Sequence, residues 1–103
     1  MKIKTSELAG AALDWAVAKC EGIQDSEFVR THMDAWLYST DWSQGGPIIE
    51  QEKLDVLYMG DGVNEHYWRA EAVGGSTFAE GLTPLIAAMR CYVASKLGDI
   101  VDI

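Results

Sequence analysis

The chain holds few side chains equipped to make or break a covalent bond. Its two histidines, His32 and His66, lie far apart and outside any nucleophile-and-base pattern, so acyl or phosphoryl transfer through an activated Ser, Thr or Cys has no recognisable base. The two thiols, Cys20 and Cys91, form neither a Cys-x-x-Cys pair nor a Cys/His group. That pattern signals no zinc site and no redox motif, and both read as reduced core residues. Gly60-Asp61-Gly62 lacks the spacing of a phosphate-binding loop and reads as a hairpin turn, while Asp61, Asn64 and Glu65 fall short of a calcium loop. No catalytic residue, metal ligand or cofactor is expected, and the chain reads as a non-enzymatic protein.

Residues suited to binding are concentrated elsewhere. Between Trp36 and Pro47 the aromatic rings of Trp36, Tyr38 and Trp42 are interleaved with Ser39, Thr40, Asp41, Gln44 and paired glycines. Rings, hydroxyls, an amide and a carboxylate in one short segment are what ligand pockets and interface hot spots both use. A structural reading stands beside it: Asp41 or Thr40 caps a helix and Trp42 anchors that helix to the core. Arg69 and Arg90 could clamp an anion if they converge with Trp42, or each could pair with a surface carboxylate. The candidate binding surface is therefore Tyr38, Ser39, Thr40, Asp41, Trp42, Gln44, Pro47, Arg69 and Arg90.

Composition narrows the partners. Sixteen acidic against eight basic residues give a net charge of -8, which repels a phosphate backbone and argues against nucleic-acid binding. The carboxylates are scattered and read as a solvated surface rather than as a nucleic-acid mimic. At 103 residues the chain is one domain, 1-103, too apolar for disorder and too interrupted for a membrane span. Met1-Lys2-Ile3-Lys4 does not open a secretory signal, so a cytoplasmic location is expected.

The elements that must position these residues are legible in part. Thr83-Pro84 through Gly98 reads as one complete helix, with Thr83 as N-cap, Pro84 in the first turn and Gly98 at the C-cap. A first helix is expected from Ser6 to Cys20, capped by Thr5 or Ser6 and ended by Gly22. Val29, Thr31 and Met33 alternate within Glu27 to Met33, suggesting a short strand or an ordered excursion. After Asp41, Gly45-Gly46-Pro47 predicts either a turn with a short helix beginning at Pro47 or a kinked helix. Leu54 to Met59 and His66 to Val73 form a hairpin in which Trp68, Ala70 and Ala72 share the face toward the helices. Gly74 to Thr77 reads as a flexible connection.

Three blocks in order carry a family resemblance: Leu13-Asp14-Trp15-Ala16-Val17-Ala18-Lys19 with Glu21-Gly22, then Tyr38 to Glu50, then Thr83 to Ala94. Together they resemble the NinX-like small proteins of lambdoid bacteriophages. The order of helix, Tyr-Ser-Thr-Asp segment, hairpin and Ala-Met-Arg helix is more distantly similar to phage ABA sandwich domains, in which the helix after the Asp usually runs uninterrupted. The resemblance implies a phage or prophage accessory protein made in the host bacterial cytoplasm, and it supplies no catalytic residue.

The expected architecture is α+β: a small antiparallel sheet of two to three strands around the 54-73 hairpin, covered by the N- and C-terminal helices, with a short helix after residue 41. A third strand from residues 27-33 would stabilise the hairpin. Exposed edges and aromatics suit a homodimer. The first functional expectation is binding to a host macromolecule. The second is sequestration of a nucleotide-like small molecule between Trp42, Arg69 and Arg90.

Overall fold

The structure is a computed structural model that describes residues 2-23, 27 and 31-102. Its organising element is the helix Pro84–Leu97, called α3 here after α1, Gly10–Cys20, and α2, Trp42–Glu52. Thr83 Oγ1 accepts from the Ile86 N–H at 3.1 Å, Pro84 occupies the first turn, and Gly98 follows at φ 87°, so both ends form as their residue types require. Leu85, Ala87, Ala88, Met89, Cys91, Tyr92 and Val93 are all buried, which wraps apolar contact around most of the helix circumference. A helix apolar on so many sides has to lie at the centre. It contacts α1, α2 and the sheet.

That sheet contains β2, Asp55–Tyr58, β3, Trp68–Glu71, and β4, Phe78–Gly81, in the antiparallel order β2-β3-β4. Val56, Ala70 and Ala79 stand in register on one face, with Tyr58, Trp68 and Gly81 two residues further on. Ala70 and Ala79 are buried and small, which lets α3 approach β3 and β4 closely. Gly81 meets Ile86 and the Ala87 backbone so tightly that a Cβ would not fit. The opposite face carries Asp55, Leu57, Arg69, Glu71, Phe78 and Glu80. The expected split between a helix-facing and a more polar face is present.

The third strand is β4, which follows the Gly74 to Thr77 segment that sequence patterning reads as a flexible connection. Of the strand expected over residues 27-33, residues 28-30 lie outside the described residues, while residues 27 and 31 are helical and Met33–Ala35 is a 3-10 turn, so no strand forms over the part that is described. The chain ends form a second sheet, in which β1, Lys2–Lys4, pairs antiparallel with β5, Ile100–Asp102.

Helix α1 begins later than its apparent caps. Thr5–Glu7 forms a 3-10 turn, Ala9 is the N-cap, and no side chain caps it. Thr5 is committed elsewhere: its N–H donates to Asp99 O at 2.8 Å and its hydroxyl to Gly98 O at 2.6 Å. The C-terminal end is as expected, with Gly22 at φ 86° and the Ile23 N–H returning to Ala18 O.

Helix α2 runs through Pro47 without a break. Proline cannot donate to the Ser43 carbonyl, but the residue before it is Gly46, and without a Cβ there part of the usual pre-proline clash disappears. The helix ends on Lys53 at φ 53°, with the Leu54 N–H reaching back to Ile49 O.

Candidate functional site

The segment 38-47 is built as a structural joint. The Asp14 carboxylate, buried on α1, accepts from the Ser39 N–H at 2.8 Å. Asp41 Oδ1 accepts from the Ser43 N–H at 2.9 Å and from its hydroxyl at 2.6 Å, so Asp41 is the N-cap of α2. These bonds, the Ser43 hydroxyl foremost, hold the Asp41 carboxyl below its ordinary pKa. Gln44 turns back to accept from the Leu37 N–H at 2.9 Å and to donate to Ala35 O at 3.2 Å. Gly45 is buried where a Cβ would strike the Tyr38 carbonyl and Leu85 of α3. Tyr38 is half-buried against the core, and desolvation followed by the charges of Glu21 and Asp14 raises its pKa.

Trp42 does not anchor the helix. It is 55% exposed, and Ile48 supplies the buried contact. Thr40 and Pro47 are also exposed, whereas Ser39 is 2% exposed and its hydroxyl has no hydrogen-bond partner. The exposed residues of this segment are therefore Thr40, Trp42, Ser43 and Pro47.

The arginines lie elsewhere. Arg69, on the outer face of the sheet, stacks 3.7 Å above the Phe78 ring and pairs with Glu71 at 2.9 Å. Arg90 leaves α3 with its Nε donating to Leu8 O at 2.7 Å and a terminal nitrogen donating to Glu80 O at 2.9 Å. Desolvation moves its pKa downward. Arg90 lines a cleft of about 710 Å³ that includes none of residues 38-47 and not Arg69. Trp42 and Arg69 thus lie outside the cleft that Arg90 lines.

The cleft runs along β4. It is lined by Phe78 to Leu82 and Tyr67, by Lys4 to Ser6 with Asp99 and Ile100, and by Arg90 and Ala94 of α3. Leu82 and Ile100 are 77% and 57% exposed, giving it an apolar rim. Among the described residues neither Lys4 nor Arg90 has a carboxylate within ion-pair distance, although Glu80 and Asp99 also line the cleft. Sequence reasoning missed this site apart from Arg90. Gly74-Gly75-Ser76 followed by Phe78-Ala79-Glu80-Gly81 is the hairpin signal that could have found β4.

Hydrogen-bond phase identifies the outer edge of β4. The Ala72 N–H donates to Thr77 O and the Met59 N–H to Tyr67 O. With the observed register and antiparallel alternation, the odd-numbered residues of β4 bond to β3 while Phe78 and Glu80 direct their backbone groups away from it. Arg90 takes the Glu80 carbonyl on that side.

Both cysteines are shielded from solvent to a large degree, and Asp61 is engaged by its own loop. Burial pushes the Cys20 and Cys91 thiols up to about 11, which makes poor nucleophiles. No group of three or more potential metal ligands occurs among the described residues. The Asp61 carboxylate accepts from the N–H groups of Val63, Asn64 and Glu65, closing the hairpin loop.

The sequence matches the family described as Bacteriophage P22, NinX over residues 4–96. The chain belongs to the NinX family. All three blocks that carry the resemblance lie inside the matched span, as do β4 and most of the cleft lining. A search among curated proteins finds no match. No helix among the described residues is long and apolar enough to cross a membrane.

Proposed function

We propose that this NinX-family chain is a non-enzymatic phage accessory protein that binds a host macromolecule in the host bacterial cytoplasm. The observation that carries the reading is the cleft beside β4: two cations with no carboxylate within ion-pair distance among the described residues, in a chain of net charge -8, sit beside an exposed apolar rim. A desolvated guanidinium held only by backbone carbonyls is suited to receive a partner's anionic group. Exposed Trp42 offers a second contact surface, of the kind that dominates interface energetics.

The test is affinity capture of the tagged protein from infected and uninfected host cells, comparing wild type with Leu82→Glu and Trp42→Ala. A specific host partner lost with Leu82→Glu supports the cleft. Trp42→Ala is expected to leave the melting temperature within about 2 °C, since an exposed side chain contributes little to stability, and loss of capture in that variant would assign binding to the Trp42 surface. Capture unchanged by both variants overturns the reading.

A second reading is small-molecule binding in the same cleft, favoured by a volume of about 710 Å³, which lies in the range of ligand pockets. Native mass spectrometry of the gently recovered protein would reveal it as a discrete adduct.

A further inference from the structure

The outward edge of β4 borders the cleft and carries a specific set of backbone groups. Phe78 contributes a free N–H and a free carbonyl and Glu80 a free N–H, while the Glu80 carbonyl is already taken by Arg90. A strand edge of this kind templates another extended chain unless it is blocked. Proline, lysine and bulge are absent from Phe78-Ala79-Glu80-Gly81, and the groove beside it is open except where the Arg90 side chain bridges Glu80 O to Leu8 O. Arg90 carries more N–H donors than the two its backbone carbonyls use. Lys4 lines the same cleft with no carboxylate within ion-pair distance among the described residues.

We propose that β4 receives an extended polypeptide segment as a fourth strand, and that the segment bears a carboxylate that meets Arg90 and Lys4. This deepens the cleft-binding reading and rests on it. Backbone pairing supplies affinity without demanding a particular sequence, and the carboxylate fixes where along the edge the segment stops. Charge complementarity selects this occupant over an uncharged one. Glu80 and Asp99, on the same lining, disfavour a segment with several acidic groups and favour one with a single carboxylate.

The test uses the full chain and a randomised seven-residue peptide library with free C-termini. Selected peptides are expected to share β-branched residues in alternation and one carboxylate, either an acidic side chain or the C-terminus, which amidation distinguishes. In amide hydrogen exchange of the complex with the best selected peptide, the Phe78 and Glu80 N–H groups should become protected. Glu80→Pro removes the free donor while sparing the β3-β4 bonds, and should weaken that peptide about tenfold, the equivalent of one backbone hydrogen bond. Glu80→Gln, which keeps the N–H, should not.

Should Glu80→Pro melt early, the exchange pattern of the wild-type complex decides alone. Binding that survives both C-terminal amidation and replacement of every acidic side chain of the peptide overturns the carboxylate contact, and binding that leaves Phe78 and Glu80 exchanging freely overturns strand addition. Protection of the same amides in a dimer of the free protein also overturns it, assigning the edge to a second copy. A library without binders, beside host capture that still depends on Leu82, overturns the peptide and leaves the cleft reading standing.

Discussion

At the scale of single residues, two buried polar side chains show how differently a hydroxyl can be used. Tyr92 donates to Glu21 at 2.5 Å, joining α3 to the end of α1, and desolvation followed by that bond raises its pKa. A raised folded-state pKa means stability that is intact below the unfolded value of 10.0 and lost as pH climbs above it. Cys20 and Cys91, raised from 9.0 to about 11, act in the same direction between those values. Stability should therefore fall across pH 9 to 11 in thermal melts. Tyr92→Phe should cost about 1 kcal/mol at neutral pH, because Glu21 is exposed and rehydrates, and should make the decline above pH 10 shallower. Ser39 presents the opposite case, since its buried hydroxyl has no partner. Ser39→Ala should stabilise the chain by roughly 1 kcal/mol in urea unfolding, and a loss instead would mean that the hydroxyl is satisfied by a bound water.

At the scale of elements, the informative case is α2. Gly45 and Gly46 look alike in sequence but meet different surroundings. A methyl at 45 would strike the Tyr38 carbonyl and come within 2.7 Å of Leu85 Cδ2, whereas one at 46 meets only Trp42 Cε3 at 3.8 Å. Gly45→Ala should destabilise by about 1–3 kcal/mol despite alanine's better helix propensity. Gly46→Ala should be near neutral, the propensity gain being offset by the pre-proline clash. Comparing their urea midpoints checks the claim that α2 packs through its glycine. The salt bridge from Lys96 to Glu52, 3.0 Å, also links α3 to α2, but an exposed lysine adds little.

At the scale of the whole molecule, the two chain ends are tied together beside the cleft. Thr5 and Gly98 are 93 positions apart in sequence, yet the Thr5 hydroxyl donates to the Gly98 carbonyl at 2.6 Å. This bond seats the β1-β5 ribbon whose residues Lys4 and Ile100 line the cleft. Thr5→Val keeps the shape and removes the bond, and should cost about 1 kcal/mol. Hydrogen exchange should quicken at residues 2-4 and 100-102 while α3 stays protected. Uniform loss of protection would instead show that the ribbon and the core open as one unit.

What the sequence by itself determined is local. The caps of α3, the Gly22 stop, the Asp41 cap and the 54-73 hairpin were all legible, because each depends on residues within a few positions of one another. So was the α+β class, which follows from helical and alternating periodicities. The tertiary structure decided the rest. Thr5 left its local capping role for a distant carbonyl, Trp42 stayed exposed because Ile48 and a bare Gly45 made the helix contact, and α2 continued through Pro47 across a contact surface shared with α3. The cleft was not legible because Lys4, Phe78, Arg90 and Ile100 meet only after the chain ends close on α3 and β4. Hydrogen-bond propensities act over one turn of chain, whereas burial and the pairing of charges depend on which distant surfaces come to share the same space.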